Sequence, residues 1–203
     1  MTEAENFARA VDALKQGEVI VFPTETLYGL GADALNRDAI DRVFKLKGRD
    51  RQNPIPVLVA DEEMLLNLVS EVPSAARKLI ESFWPGPLTI VLPARQGTPE
   101  PLLNLDGGIG VRISAEPIAT RLVRSLGRPL TATSANPSGQ QPAPTVEEAR
   151  RYFANQIELF IDGGALGSRT GSTVIQVFGG TLKIIREGAV SAAKLEAALE
   201  KQL

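Results

Sequence analysis

The chain has 203 residues, 43% of them hydrophobic and 23% charged, with a net charge of −2 from 22 basic and 24 acidic side chains. It has no cysteine and no histidine, which excludes disulfides, a cysteine nucleophile, a Ser-His-Asp triad and any zinc site built on Cys or His. No apolar run approaches the roughly 20 residues of a membrane helix, and the acidic start MTEAENFARAVDAL lacks the pattern of a secretory signal, so the expected location is the cytoplasm.

In chain order, Phe7, Val11 and Leu14 recur at helical spacing, and Gly17 stands where that helix would stop. Val19–Phe22 reads as a strand followed by an unusually polar loop, FPTETLYGLG (22–31). Asn36 is placed to cap a helix through about Lys47, Pro56–Val59 is a short strand, and Asp61 and Ser74 are placed to cap helices over 62–69 and up to Phe83. WPGP (84–87) breaks the last of these before a strand at Leu88–Leu92. Residues 94–109 read as a loop, Gly110–Ile113 as a strand, Pro117–Ser125 as a helix, and Leu130–Ala132 as a strand running into TSANPSG (133–139). Thr145 and Glu148 have capping-box spacing for a helix to about Phe153. Strands are expected at Leu159–Ile161, Thr173–Val177 and Lys183–Ile185, and a closing helix at Ala192–Lys201. The alternation predicts an α/β fold with one mixed sheet, helices packed on it, and one domain over 1–203.

Ligands of open α/β sheets bind beyond the carboxyl ends of strands. FPTETLYGLG, TSANPSG and GSRTGS (167–172) are candidates for such a rim, with glycines that admit an anion to the backbone and hydroxyls that add donors. There is no Walker-type G-x-x-x-x-G-K-[ST]. The G-x-G-x-x-A match at Gly29–Ala34 stands six residues behind its strand and well before its helix, which argues against a dinucleotide site. RVFKLKGRDR (42–51) sets Arg42, Lys45, Lys47, Arg49 and Arg51 against Asp50 alone. A helix C-terminus accounts for Lys45 and Lys47, whereas Arg49 and Arg51 lie past the stop at Gly48, where a Lys-x-Arg pair is suited to clamp a polyphosphate. Arg112 and Arg186 sit in strands, facing either solvent or a cleft.

Taken in order, PTETLYGLG, KGR (47–49), PIPVLV (54–59), WPGPLT (84–89), VRI (111–113), TSANPSG, STVI (172–175) and REG (186–188) resemble the YrdC-like family of threonylcarbamoyl-adenylate synthases, over about residues 7–188. The resemblance implies a single-domain twisted mixed sheet with flanking helices around an open cationic cavity. It also implies a nucleotidyltransferase that joins L-threonine, bicarbonate or CO2 and ATP into threonylcarbamoyl-AMP and pyrophosphate. The product serves threonylcarbamoyladenosine formation next to the tRNA anticodon through a downstream transferase system, and direct binding of tRNA or double-stranded RNA goes with the family.

By position, the resemblance assigns Thr26, Arg112, backbone at Ala132, and Ser172 to threonine. It assigns Lys47, Arg49, Asn53, Ser134, Asn136, Pro142 and Arg186 to ATP, with Lys47 and Arg49 the catalytic pair. Mg2+ would arrive with ATP, and no protein metal ligand set is expected. Two departures stand out: Leu58 where many members carry histidine near the threonine site, and Asp50 where proline usually follows Lys-x-Arg. The chain reads as the compact form, without the extra C-terminal domain of longer members. The alternatives are a non-catalytic RNA-binding module, which the charge balance and the 5% of aromatics disfavour, and a carbamoyl-adenylate-forming enzyme with another carbamoyl donor.

Overall fold

The computed structural model describes residues 2–167, 170–178 and 181–200. Ser168 and Arg169 of the GSRTGS segment, and Lys201 at the end of the closing helix, lie outside these residues.

Helix α1 (Glu3–Lys15) opens on a capping box in which Thr2 accepts from the Glu5 amide and Glu5 accepts from the Thr2 amide. It buries Phe7, Ala10, Val11 and Leu14 at the expected spacing. Strand β1 (Ile20–Phe22) is wholly buried. The polar loop then turns back on it: Gly29–Gly31 is a second strand, β2, antiparallel to β1 with Ile20 opposite Gly31 and Phe22 opposite Gly29. A Gly-Leu-Gly triplet has no alternation to betray a strand. Its small residues are required by packing, because a Cβ at Gly31 would stand 2.8 Å from the Phe22 ring.

Helix α2 (Arg37–Lys47) is capped by Asn36, whose side chain accepts from the Ala39 amide, and ends at Gly48. Strand β3 (Val57–Leu58) and helix α3 (Glu62–Leu68), capped by Asp61, follow. In α4 (Ser74–Phe83), Ser74 is the first helical residue and makes no cap; Pro73 precedes it and carries no side-chain acceptor. After β4 (Leu88–Pro93), the expected 94–109 loop contains a 3-10 turn at Glu100–Leu102, and β5 (Gly108–Arg112) starts earlier than expected. Helix α5 (Pro117–Leu126) leads to β6 (Leu130–Thr131) and β7 (Thr133–Ser134). Helix α6 (Val146–Phe153) is capped by the Thr145 hydroxyl. Strands β8 (Thr173–Phe178) and β9 (Thr181–Arg186) and helix α7 (Ala192–Glu200) complete the order. Leu159–Ile161 forms no strand; its single bridge is to Val21, through the Val21 amide to Leu159 and the Ile161 amide to Val21, and the Phe160 carbonyl accepts from the Asn6 side chain.

The single sheet expected from the alternation is two. Strands β1-β2-β7 form a small antiparallel sheet, and β6-β3-β5-β4-β8-β9 a mixed one with β3/β5 and β4/β8 parallel. The chain crosses between them at Ala132, where β6 gives way to β7, and the Ala132 amide donates to Pro56. Strand pleating separates the apolar side chains into two clusters. Val57, Ile90 and Val111 join one with Tyr28 and Ile40; Leu58 joins the other with Phe7, Phe22, Leu122 and Leu130. No helix among the described residues is long and apolar enough to cross a membrane.

Thr131 is fully buried at the seam between the sheets. Its hydroxyl accepts from the Ala32 amide at 2.9 Å, and its own amide donates to the Ala32 carbonyl. Thr131→Val keeps the shape but leaves a buried amide without an acceptor, so it is expected to cost about 1–3 kcal/mol of stability, read as a lower urea midpoint with an unchanged slope.

Candidate functional site

The mixed sheet gathers one rim. The C-terminal ends of β3, β5 and β9 lie beside the N-terminal ends of β4, β6 and β8, because the intervening pairs alternate in direction. Arg112 therefore comes from the end of a strand, Ser172 from the residue before one, and Arg186 from the end of the edge strand. The rim is thus not made of carboxyl ends alone, as a parallel sheet would have it.

Lys47 closes the first side of the site. It is only 2% exposed, and its Nζ donates to the Ser134 carbonyl at 2.6 Å and the Asn136 carbonyl at 2.7 Å. The Ser138 amide donates back to the Lys47 carbonyl at 2.8 Å, so the end of α2 and the turn after β7 are stapled both ways. An ammonium carries three protons; the third has no acceptor among the described residues. Burial first, and the charge of Arg49 second, lower the Lys47 pKa from 10.5 to about 7. Arg49 is itself lowered by burial and by Arg186. Its guanidinium is held by backbone alone: Nε donates to the Asn53 carbonyl at 2.6 Å and Nη2 to the Pro54 carbonyl at 3.3 Å. Arg186 Nη2 donates to the Ser172 carbonyl at 2.8 Å. This approach is possible because Gly188 has no side chain: a Cβ there would stand 2.3 Å from the Gly171 carbonyl oxygen. Among the described residues no carboxylate pairs with Lys47, Arg49 or Arg186.

Arg112 forms the second side and is treated differently. It is 5% exposed, and its Nη1 lies 2.6 Å from Glu25 Oε1; the other carboxylate oxygen of Glu25 accepts from the Ser114 hydroxyl. Burial lowers the Arg112 pKa, Glu25 opposes that, and Arg186 adds to it, which places Arg186 within electrostatic reach of both sides. Glu25 belongs to the polar loop, and Thr24 shapes that loop. The Thr24 hydroxyl donates to the Leu27 carbonyl at 2.7 Å and receives the Thr26 and Leu27 amides. The Thr24 hydroxyl also lies 3.0 Å from that of Thr26. Pleating sets Thr89 on the same face as Arg112, opposite Ile90 and Val111, and its hydroxyl is 2.9 Å from that of Ser172.

Most of the sequence candidates converge. Lys47, Ser134 and Asn136 touch one another; Arg49 contacts the backbone of Asn53; Arg186 contacts Ser172; and the charges of Lys47, Arg49, Arg186 and Arg112 form an unbroken chain of mutual influence. Asn136 directs its Nδ2 to the Pro137 and Gln140 carbonyls, while its Oδ1 is buried with no hydrogen-bond partner among the described residues. Ala132 and Pro142 are half-buried, the latter beside Ala143, whose carbonyl accepts from the Tyr28 amide. Asn53 is exposed. Arg51 is turned away, paired with Asp41 at 3.0 Å and lying over the Phe44 ring, so the cluster of 42–51 divides between site and surface. Sequence reasoning missed Glu25, Ser114, Thr24 and Thr89. The glutamate inside PTET was the available signal, since a lone carboxylate in a loop of hydroxyls needs a partner when buried.

Fold and site together define an α/β protein of two joined sheets with a cationic rim next to a buried ion pair. The family model Sua5/YciO/YrdC, described as "Telomere recombination", matches residues 12–188. A putative threonylcarbamoyl-AMP synthase of Mycobacterium tuberculosis (strain CDC 1551 / Oshkosh) is 36% identical over 186 residues, covering 92% of this chain and 85% of that protein. The threonylcarbamoyl-AMP synthase of Pyrococcus abyssi is 37% identical over 187 residues, and the match spans 92% of this chain but 55% of that longer protein. The crystal structure of P. abyssi Sua5 complexed with L-threonine superposes with a TM-score of 0.92 at 35% identity, over 98% of this chain and 58% of that one. The chain belongs to the Sua5/YciO/YrdC family.

The pKa of Lys47 has a consequence for pH. The unfolded chain holds this proton up to about pH 10.5, whereas the folded one releases it from about pH 7. Between those values the Lys47 contribution to stability therefore grows as pH rises, and below pH 7 the penalty of the buried charge is borne in full. A bound polyanion favours the charged form and restores the proton. Pyrophosphate binding at pH 8 is expected to take up a measurable fraction of a proton, seen as different titration heats in buffers of different ionisation enthalpy. Equal heats would show that Lys47 does not meet the anion.

Proposed function

We propose that the chain is a threonylcarbamoyl-adenylate synthase, acting on L-threonine, bicarbonate or CO2, and ATP. The observation that carries this reading is the gathering of Lys47, Arg49 and Arg186, cations without carboxylate partners, next to a buried arginine suited to an amino acid. The names of the relatives, and the threonine complex of the P. abyssi protein, support it.

The chemistry needs no protein nucleophile, which suits a chain without Cys or His. Bicarbonate gives CO2 by loss of hydroxide; the threonine ammonium loses one proton to solvent, and the amine adds to the carbon of CO2 and loses a second proton to solvent, leaving a carbamate. A carbamate oxygen then attacks the α-phosphorus of ATP, and the bond to the β-phosphate breaks, releasing pyrophosphate. The protein's part is positioning and neutralisation of charge. Lys47, Arg49 and Arg186 hold the phosphates, with Ser134 and Asn136 beside Lys47, and Arg112 holds the threonine carboxylate. Thr26 and Ser172 offer hydroxyls to the carbamate or the threonine side chain. Mg2+ comes as MgATP, held by phosphate and water; among the described residues no group of three acidic, His or Cys side chains is clustered to hold it. A methyl pocket separates threonine from serine by only about 1–3 kcal/mol. The adenylate passes to a transferase system that modifies tRNA, with the protein acting in the cytoplasm as one domain, and tRNA itself is a proposed partner.

The direct test is mass spectrometry of the product from ATP, isotope-labelled bicarbonate and threonine. The label should appear in a threonine–AMP conjugate and vanish when threonine is omitted. Pyrophosphate release without threonine would favour a different carbamoyl donor, and RNA binding without any release a non-catalytic module. Arg49→Ala should lower turnover by about 100-fold or more with an unchanged circular dichroism spectrum; wild-type turnover would remove Arg49 from the phosphate clamp. Arg112→Ala should raise the threonine KM by about tenfold or more while the ATP KM stays put.

A further inference from the structure

Within this reading, the two sides of the site differ in one respect that points to how the amino acid is recognised. The side with Lys47, Arg49 and Arg186 is cationic without compensation, as a polyphosphate requires. The Arg112 side is already neutral: Glu25 lies 2.6 Å from it, with both side chains largely buried, at 6% and 15% exposure. A site meant for a bare carboxylate gains nothing from a fixed carboxylate at its arginine, since the two anions repel and the arginine's charge is half spent.

We propose that Glu25 and Arg112 form a matched pair that receives an α-amino acid as its zwitterion, Arg112 taking the carboxylate and Glu25 the ammonium; this rests on the amino-acid role given to Arg112 above. The pair has the capacity left for it. Glu25 spends one lone pair of each oxygen, on Arg112 and on Ser114, and keeps the others. Arg112 uses Nη1 on Glu25, and among the described residues its Nε and Nη2 have no partner. A zwitterion adds one charge of each sign, so the buried site stays neutral after binding, whereas a lone anion or a lone cation would leave an uncompensated charge in it.

Glu25 is also fixed in place rather than free to swing aside. The turn it rides on is tied by the Thr24 hydroxyl, and Ser114 is tied to the start of α5, its hydroxyl accepting from the Glu116 amide and its carbonyl receiving the Thr120 hydroxyl. That rigidity speaks against a carboxylate that merely occupies Arg112 until substrate displaces it.

Equilibrium binding to the whole protein by titration calorimetry tests this with L-threonine, its deaminated analogue β-hydroxybutyrate and its decarboxylated analogue isopropanolamine. The expected result is that threonine binds at least about tenfold more tightly than either analogue. Glu25→Gln should then weaken threonine by about tenfold or more while β-hydroxybutyrate binds as well as before or more tightly, because the repulsion between the two carboxylates is gone. Equal affinity for threonine and β-hydroxybutyrate overturns the proposal on the unaltered protein, whether or not the variant folds. Three results with the variant also overturn it: unchanged threonine affinity, an equal loss for both ligands (Glu25 only positions Arg112), or a gain for both (Glu25 competes with the ligand carboxylate). The function stands or falls separately. If the variant makes labelled threonylcarbamoyl-AMP at the wild-type rate with unchanged threonine affinity, the synthase reading survives and the pair does not. If threonine fails but another L-α-amino acid binds with the same dependence on Glu25, the pair survives and threonine is the wrong substrate. If no L-α-amino acid binds, both are wrong.

Discussion

Lys47 is a buried ammonium whose partners are two backbone carbonyls, and the site is arranged around that fact. Its Nζ reaches Ser134 and Asn136, and its own carbonyl receives the Ser138 amide, so one residue joins the end of α2 to the turn after β7. Carbonyl dipoles offset only part of the cost of taking a charge out of water, and the remainder appears as a pKa near 7 instead of 10.5. A neighbouring carboxylate would have been the cheap remedy. Its absence among the described residues leaves a site poised between neutral and charged, and in the proposed function an incoming polyanion would supply the missing partner.

The same logic separates the two halves of the site. Arg49 and Arg186 are held by backbone carbonyls, which orient a guanidinium without cancelling its charge. Arg112 is held by Glu25, which does cancel it. Two kinds of restraint on the same residue type thus produce a cationic compartment and a neutral one side by side, the arrangement the proposed triphosphate and zwitterionic amino acid would need. Arg186 lies between them, close enough to depress the pKa of Arg49 and of Arg112.

The dense polarity of FPTETLYGLG after a buried strand is resolved by its contacts. Thr24 organises the turn, Glu25 pairs with Arg112, and Tyr28 is fully buried with its hydroxyl donating to the Gly164 carbonyl at 2.7 Å and accepting from the Gly163 amide at 2.9 Å. That burial pushes the Tyr28 pKa up to about 12, so the phenol remains a neutral strut throughout the pH range of interest. The loop's polar groups serve to hold its own shape and that of the segment from 162 to 164, and its two glycines let β2 lie against the Phe22 ring.

Features that depend on neighbours along the chain were legible before the fold was known. The helices and three of their caps could be read, because Asn36, Asp61 and Thr145 act on amides three residues away. The lack of Cys and His narrowed the chemistry, and the ordered blocks from PTETLYGLG to REG marked the family and the cations. Tertiary structure decided what depends on pairing across the fold. Leu159–Ile161 has strand-like residues but finds only Val21 opposite it, whereas Gly29–Gly31 has none and is a strand because β1 and β7 flank it. The partner of Arg112 lies 87 positions away in sequence, and no local pattern reports that Glu25 neutralises it while Lys47, Arg49 and Arg186 have no carboxylate partner among the described residues. Charge compensation acts through space across a buried rim, so only the folded chain could assign it.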